Sequence, residues 1–435
     1  MPDTPIHGRN AAPDQGFATG GCDAGATVLG HEARRVASLL AAWAEMAPVP
    51  VVAALADTSS AHARRHLEHL VRCGLAEQVP YGYRMATGAP GSVAPVPAAI
   101  DGPGWARVAQ WCTAALFEAA SVLGAVTLPG GDPSPIADRP APDLPDRPTG
   151  LAWHGACYPM LVRVLRQQSE CGRVEAVWRL ALLMLNIDAV AGPGPAWRAV
   201  AILGTQAAQR SGDVAGEAMI GEYQGSLLLE CGEIDAARSL QEQVWNLRAA
   251  EGDPTGLARS DHALGLVELR AGQLPEAELL FRRALQGAET VGCEELANFA
   301  LLHLGATLAR TSVSGEAEGL LKQARWEFLK AGSARAPYEA DALGALAGMY
   351  LRRGQLPLAL ATAADALEVA TEAGLPLNLA AALTELGAAQ KAMGDTGAGL
   401  ASQLEARAIY LTLDHVPRAE QVAEQITAMS RPPGV

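Results

Sequence analysis

Lysine is almost missing from this chain: Lys322, Lys330 and Lys391 are three of 33 basic residues, a skew that fits GC-rich coding and carries no functional information. Aromatics are also scarce. They make up 5% of a sequence that is 49% hydrophobic, which points away from a core of large rings and toward helices packed through Ala and Leu. The seven cysteines are odd in number, scattered and never in CxxC spacing. That reads against a zinc knuckle or a disulfide framework and suits reduced thiols in the cytoplasm. No stretch approaches the roughly 20 apolar residues of a membrane span. The first 26 residues lack the charged-then-apolar layout of a secretion signal. The expectation is a soluble, cytoplasmic protein with no membrane partner. Basic residues are in deficit as well: the net charge of −14 and pI near 5.1 disfavour a nonspecific grip on nucleic acid by the whole molecule. No GxxxxGK[ST], GxSxG, HExxH, DxD or Rossmann glycine run occurs, so no catalytic residue, metal ligand set or cofactor is expected.

What the chain does have is a repeat. In SDHALGLVELRAGQLPEAELLFRRAL (260–285), two amphipathic stretches meet at Gly272, with Pro275 tolerated in the first turn of the second. Small or leucine residues recur at Leu185, Gly225, Gly265, Gly305, Ala347 and Gly387, in steps of 40, 40, 40, 42 and 40. Seven residues after each comes a turn position (Gly192, Gly232, Gly272, Ser312, Gly354, Gly394), and twelve after each comes Trp197, Ala237, Ala277, Ala317, Ala359 or Gly399. Three markers agreeing over six units predict stacked helical hairpins, a solenoid.

In chain order, 1–27 reads as a disordered tail and 28–86 as a compact module. Three helical stretches there are followed by EQVPYGYRMA, a hairpin with its turn at Tyr81-Gly82. That is the order of a winged helix-turn-helix. Its third helix, opened by Thr58 or Ser59 as N-cap, carries His62, Arg65, His66, His69 and Arg72 on its outer face. These are the candidate DNA contacts. Six arginines against five acidic residues in 31–86 give a net of only +1, so DNA is an alternative partner and not the favoured one. Residues 87–150 form a linker holding one helix (105–126) and a segment with seven prolines between Leu128 and Gly150. The solenoid fills 151–429, with a capping helix from Arg418 to Met429, and 430–435 is a tail. His154 and Cys157 read as packing, because no third group is evident to orient a Cys–His pair.

The segments HLEHLVRCGLAEQVPYGYRM, LAWHGACYPMLVRVLRQQSECGRVEAVWRLA and the ALGLVELRAGQLPEAELLFRRAL-type repeats resemble the C-terminal region of AfsR-type regulators, over residues 31–429. The family's nucleotide-binding module has no counterpart here. The resemblance implies a mainly α chain, a tetratricopeptide-repeat α-solenoid preceded by a small winged-helix module. It also supplies a register in which first helices line a concave groove. That register selects Arg179, Asn186, Glu222, Ser226, Glu230, Arg259, His262, Arg270, Arg310, Asp341, Arg352, Thr384 and Lys391, six basic residues against three acidic. Guanidinium groups one repeat apart suit carboxylates or phosphates, because Arg presents a planar fork. The expected partner is a protein or peptide, acidic in character, bound by a regulator or sensor. The competing readings are a DNA-binding regulator with a ligand-sensing solenoid, and an accessory or tailoring enzyme of secondary metabolism with its site in the groove. A second copy of the chain remains open as a partner.

Overall fold

The computed structural model describes residues 29–87, 100–124, 132–133, 138–311, 315–332, 335–413 and 415–430. The expected tail at 1–27, the stretch 88–99, the end at 431–435 and the turn residue Ser312 lie outside the described residues. Among those residues the chain is mainly α, with eighteen helices and two short strands. The N-terminal module comprises α1 (His31–Trp43), α2 (Val49–Ala56), α3 (Ser60–Arg72), β1 (Ala76–Val79) and β2 (Gly82–Met85). The strands pair antiparallel, and the turn residues are Pro80 and Tyr81, with Gly82 already in the second strand.

Seven helical hairpins and a final helix follow. The first helices of the hairpins are α4 (Gly102–Leu123), α6 (Val174–Ala191), α8 (Val214–Glu230), α10 (Pro254–Ala271), α12 (Glu294–Thr311), α14 (Ala336–Arg352) and α16 (Pro376–Ala392). Their partners are α5 (Arg147–Glu170), α7 (Trp197–Ser211), α9 (Ile234–Glu251), α11 (Leu274–Val291), α13 (Gly315–Ala331), α15 (Leu356–Glu372) and α17 (Thr396–Thr412), and α18 (Val416–Ser430) ends the array.

The repeat markers have direct steric causes. A Cβ on Gly265 would lie 2.6 Å from the Phe281 ring, so α10 and α11 can cross this closely only if residue 265 is small. Gly272 has φ +78° and its N–H bonds Leu269 O, a left-handed helix end that any side chain would strain. Two helices begin earlier than their apolar periodicity suggests. Asp101 accepts the Gly104 N–H at 2.6 Å and opens α4 at Gly102, and Asp146 accepts the Thr149 N–H at 2.9 Å and opens α5 at Arg147. Helix α4 packs on both α5 and α6, so it is the first half of a hairpin whose connection contains the proline-rich stretch.

One apolar cluster runs from Leu29 to Val267 and includes Trp43, Trp105, Trp111, Trp153 and Trp178. It joins the N-terminal module to the first hairpins. Trp43 and Trp105 meet at 5.3 Å between ring centroids, and the Arg163 guanidinium lies 5.0 Å over Trp43 while donating to Ala42 O at 3.0 Å. Beyond Val267 the buried apolar residues separate into smaller clusters. The solenoid also touches itself from one winding to the next: a Cβ on Gly374, in the turn before α16, would sit 3.5 Å from Pro148 at the start of α5.

Candidate functional site

Successive first helices pack side by side, and polar side chains from neighbouring ones meet on their inner wall. Toward the amino end those groups are already paired. Arg179 bonds Glu175 at 3.0 Å and lies over Trp178 at 5.4 Å. Asn186 donates to the Tyr223 hydroxyl at 2.7 Å. Glu222 accepts from Arg259 at 3.1 Å and from Arg248, a buried residue of α9, at 2.6 Å. Burial alone would raise the Glu222 carboxyl, but the two guanidiniums outweigh it and hold the group at about 2. Ser226 donates to the Glu222 carbonyl one turn earlier. Arg270 bonds Glu230 at 3.4 Å and the Leu229 carbonyl at 3.2 Å.

The middle of the wall is aromatic. His262 Nε2 and His303 Nδ1 lie 3.0 Å apart, and His303 Nδ1 is 2.9 Å from Phe299 O. A proton on His303 Nδ1 serves both acceptors and leaves His262 Nε2 bare. Burial lowers both rings, to about 3 for His262 and about 4 for His303, and their mutual contact lowers His262 further. Both are neutral at neutral pH. Phe281 stacks on His303, and Phe299 meets Tyr338 at 4.6 Å. Arg335 covers both Phe299 and Tyr338 and pairs with Glu295.

Toward the carboxyl end the pattern changes. Arg310 is exposed and has no hydrogen-bond or ion-pair partner among the described residues. Arg352 donates to Ala309 O at 3.1 and 3.2 Å, and Lys391 reaches Ala428 O at 3.4 Å. These three cations stand at the C-terminal ends of α12, α14 and α16, on one edge of the wall. Beside them Asp341, Gly344, Ala345, Asn378, Ala381 and Glu385 line a recess of about 170 Å³. Asp341 bonds Asn378 at 2.8 Å, and Thr384 is spent on the Ala380 carbonyl. Asp341 touches solvent on one side, yet the surrounding wall withdraws it from bulk water and pushes its carboxyl up to about 6; burial raises Glu385 too. Sequence reasoning missed Tyr223, Arg335, Tyr338 and Glu385, whose places depend on how far each helix is rotated.

The outer face of α3 is also partly engaged. His62 and His66 meet Nε2 to Nε2 at 3.1 Å, Arg65 lies 3.2 Å from His62 Nδ1, and His69 faces Cys73. Arg72 is exposed. The start of the helix is tied to the loop between α4 and α5: Ser60 donates to Asp138 O through Oγ at 2.8 Å, and Arg139 reaches Thr58 O and Asp57. A recognition helix reads bases with its N-terminal residues. Here that end meets the chain's own loop.

His154 and Tyr158 both bond the buried Asp188, each at 3.0 Å. Burial pushes the Cys157 thiol up to about 12, which makes it a packing residue and a poor nucleophile. No group of three or more potential metal ligands occurs among the described residues, and no helix there is long and apolar enough to cross a membrane.

No family model matches the chain, and no curated protein matches it. Several solved structures are similar. BtubC (BKLC) from P. vanneervenii matches at 20% identity and a TM-score of 0.40, over 55% of this chain and 92% of that one. Aspartyl phosphate phosphatase F from Bacillus subtilis matches at 12% and 0.43, over 62% and 76%. The STAND ATPase PH0952 from Pyrococcus horikoshii, with its tetratricopeptide repeat sensor, matches at 13% and 0.43, over 92% and 66%.

Proposed function

We propose that the chain is a regulatory interaction module whose inner wall holds a protein or peptide segment, with an acidic residue or terminal carboxylate of that segment meeting Arg310, Arg352 and Lys391. One observation carries this reading. Of the six groove cations, Arg179, Arg259 and Arg270 are already bonded to carboxylates, whereas these three are not and share one edge. Two guanidiniums one repeat apart present planar forks to a carboxylate, and Lys391 adds a point charge. The aromatic stretch around His262, Phe299 and Tyr338 supplies apolar contact further along the wall. A place among AfsR-type regulators is part of this proposal and rests on the sequence resemblance.

The test is fluorescence anisotropy with labelled peptides bearing an acidic residue before a free carboxyl terminus. Arg310→Glu and Arg352→Glu should each weaken binding by ~10-fold, as expected for loss of a charge-assisted bond. Equal binding by the variants, or by a peptide that is both amidated and has its acidic residue replaced by the matching amide, would remove the assignment. DNA is the second reading, favoured by the exposed Arg65 and Arg72 on α3. It requires salt-dependent binding to a duplex that collapses in the Arg65→Ala, Arg72→Ala double variant.

A further inference from the structure

The first and last parts of the solenoid are far apart in sequence, yet a polar contact ties them together. His415, in the turn that opens α18, meets Glu230 at the C-terminal end of α8: Nε2 to Oε2, 3.2 Å, across 185 residues. The other oxygen of the same carboxylate takes Arg270. Arg418, in the first turn of α18, lies over the Tyr410 ring and within electrostatic reach of both Glu230 and Asp341. Lys391 holds the far end of α18 through Ala428 O. Glu230 is thus a three-way node joining the third hairpin, the fourth hairpin and the last helix, and its partners come from α10 and from the start of α18.

A repeat array has no need of such a contact, because each hairpin is stabilised by its neighbours alone. Apolar packing fixes α18 locally, through Tyr410, Ala419 and Val422, and none of that cluster reaches α8. The cross-winding tie is polar and partly buried, with Glu230 at 32% and His415 at 12% side-chain exposure. A tie of this kind is strong enough to hold one arrangement and weak enough to be released.

We infer that Glu230, His415 and Arg418 form a latch that closes the solenoid on itself, and that its release opens the inner wall to the segment proposed above. The gating half of this inference rests on the reading in the preceding section; the latch does not. In the latched state the last turn stands against the third hairpin, and an incoming chain has to separate them or thread between. Helix α18 is then the moving part, and the population of the open state sets how fast a partner enters.

The full chain tests this without any partner. In Glu230→Ala, and separately in His415→Ala, amide exchange within α18 should quicken ~10-fold, while Glu233→Gln, which loses only the neighbouring pair with Arg198, should leave it unchanged. Two single-site variants on opposite sides of the contact guard against a folding defect in either. Channel access is read with diethyl pyrocarbonate, scoring modification of His262 and His303 against the fully exposed His31. Latch variants should modify the two wall histidines ~10-fold faster at unchanged His31 rates. Unchanged α18 exchange in both variants overturns the latch. Faster exchange with unchanged wall modification overturns the gate. Failure of the acidic peptide to bind any form bears on the preceding section alone.

Discussion

On α8 and α10, Glu222 is gripped by Arg248 and Arg259 and kept ionised, whereas on α14 and α16 Asp341 and Glu385 are pushed toward the protonated form. Both pairs of helices come from the same 40-residue pattern, and all these carboxylates face the same wall. The difference lies in what stands opposite. Arg248 comes from a second helix and is fixed by Ser260 and Gly256 O before it ever meets Glu222. Among the described residues no second-helix cation bonds Asp341, and Arg418 of α18 acts on it only through space. A similar division marks the apolar core, which is one tryptophan-rich body through Val267 and separate clusters beyond it. The amino half is built to stay as it is, and the carboxyl half keeps charge and contact in reserve.

Four substitutions break or sharpen this contrast. The largest effect belongs to Trp178→Ala, which empties a fully packed site in the continuous core and should cost ~3–5 kcal/mol in chemical denaturation. Tyr410→Ala, in the small C-terminal cluster, should instead loosen exchange near α17 and α18 and spare the main transition. Next comes Glu222→Gln. The native carboxyl sits at about 2 against an ordinary 4.5, so its pairing contributes stability that is complete above about 4.5 and is lost as pH falls toward 2. The variant should be ~2–3 kcal/mol less stable at pH 7 and converge on the native protein near pH 2 in urea titrations. Asp341→Asn has the opposite sign and the smallest size. Its carboxyl is raised from 3.8 to about 6, so ionisation costs stability as pH climbs through that interval. The amide should gain less than ~1 kcal/mol at pH 7, after allowing for solvent screening at this exposed group, and nothing at pH 3. A variant as destabilised as Glu222→Gln would erase the proposed division between the halves.

The hairpins were legible because their causes are local. Gly265 answers to Phe281 sixteen residues on, and Gly272 answers to the helix it ends. The first hairpin was not legible, since the prolines between α4 and α5 interrupt the spacing that would have linked them. The inner-wall register selects Asn186, Glu222, Arg259 and His262, which lie on the successive first helices α6, α8 and α10. It did not reveal that Arg259 was already taken, because Arg248 belongs to the other helix of its hairpin. The tie between Glu230 and His415 depends on the pitch of the whole array, a sum of small rotations that no window of sequence contains.

That dependence on pitch has a numerical consequence. Removing one whole 40-residue hairpin between α8 and α18 would keep the periodic stacking of the array, yet it would bring a different residue opposite Glu230 and leave His415 without its acceptor. Most helical arrays tolerate gain or loss of a unit because nothing in them counts. In this one, closure acts as a ruler, and the number of hairpins is itself a property that selection can see.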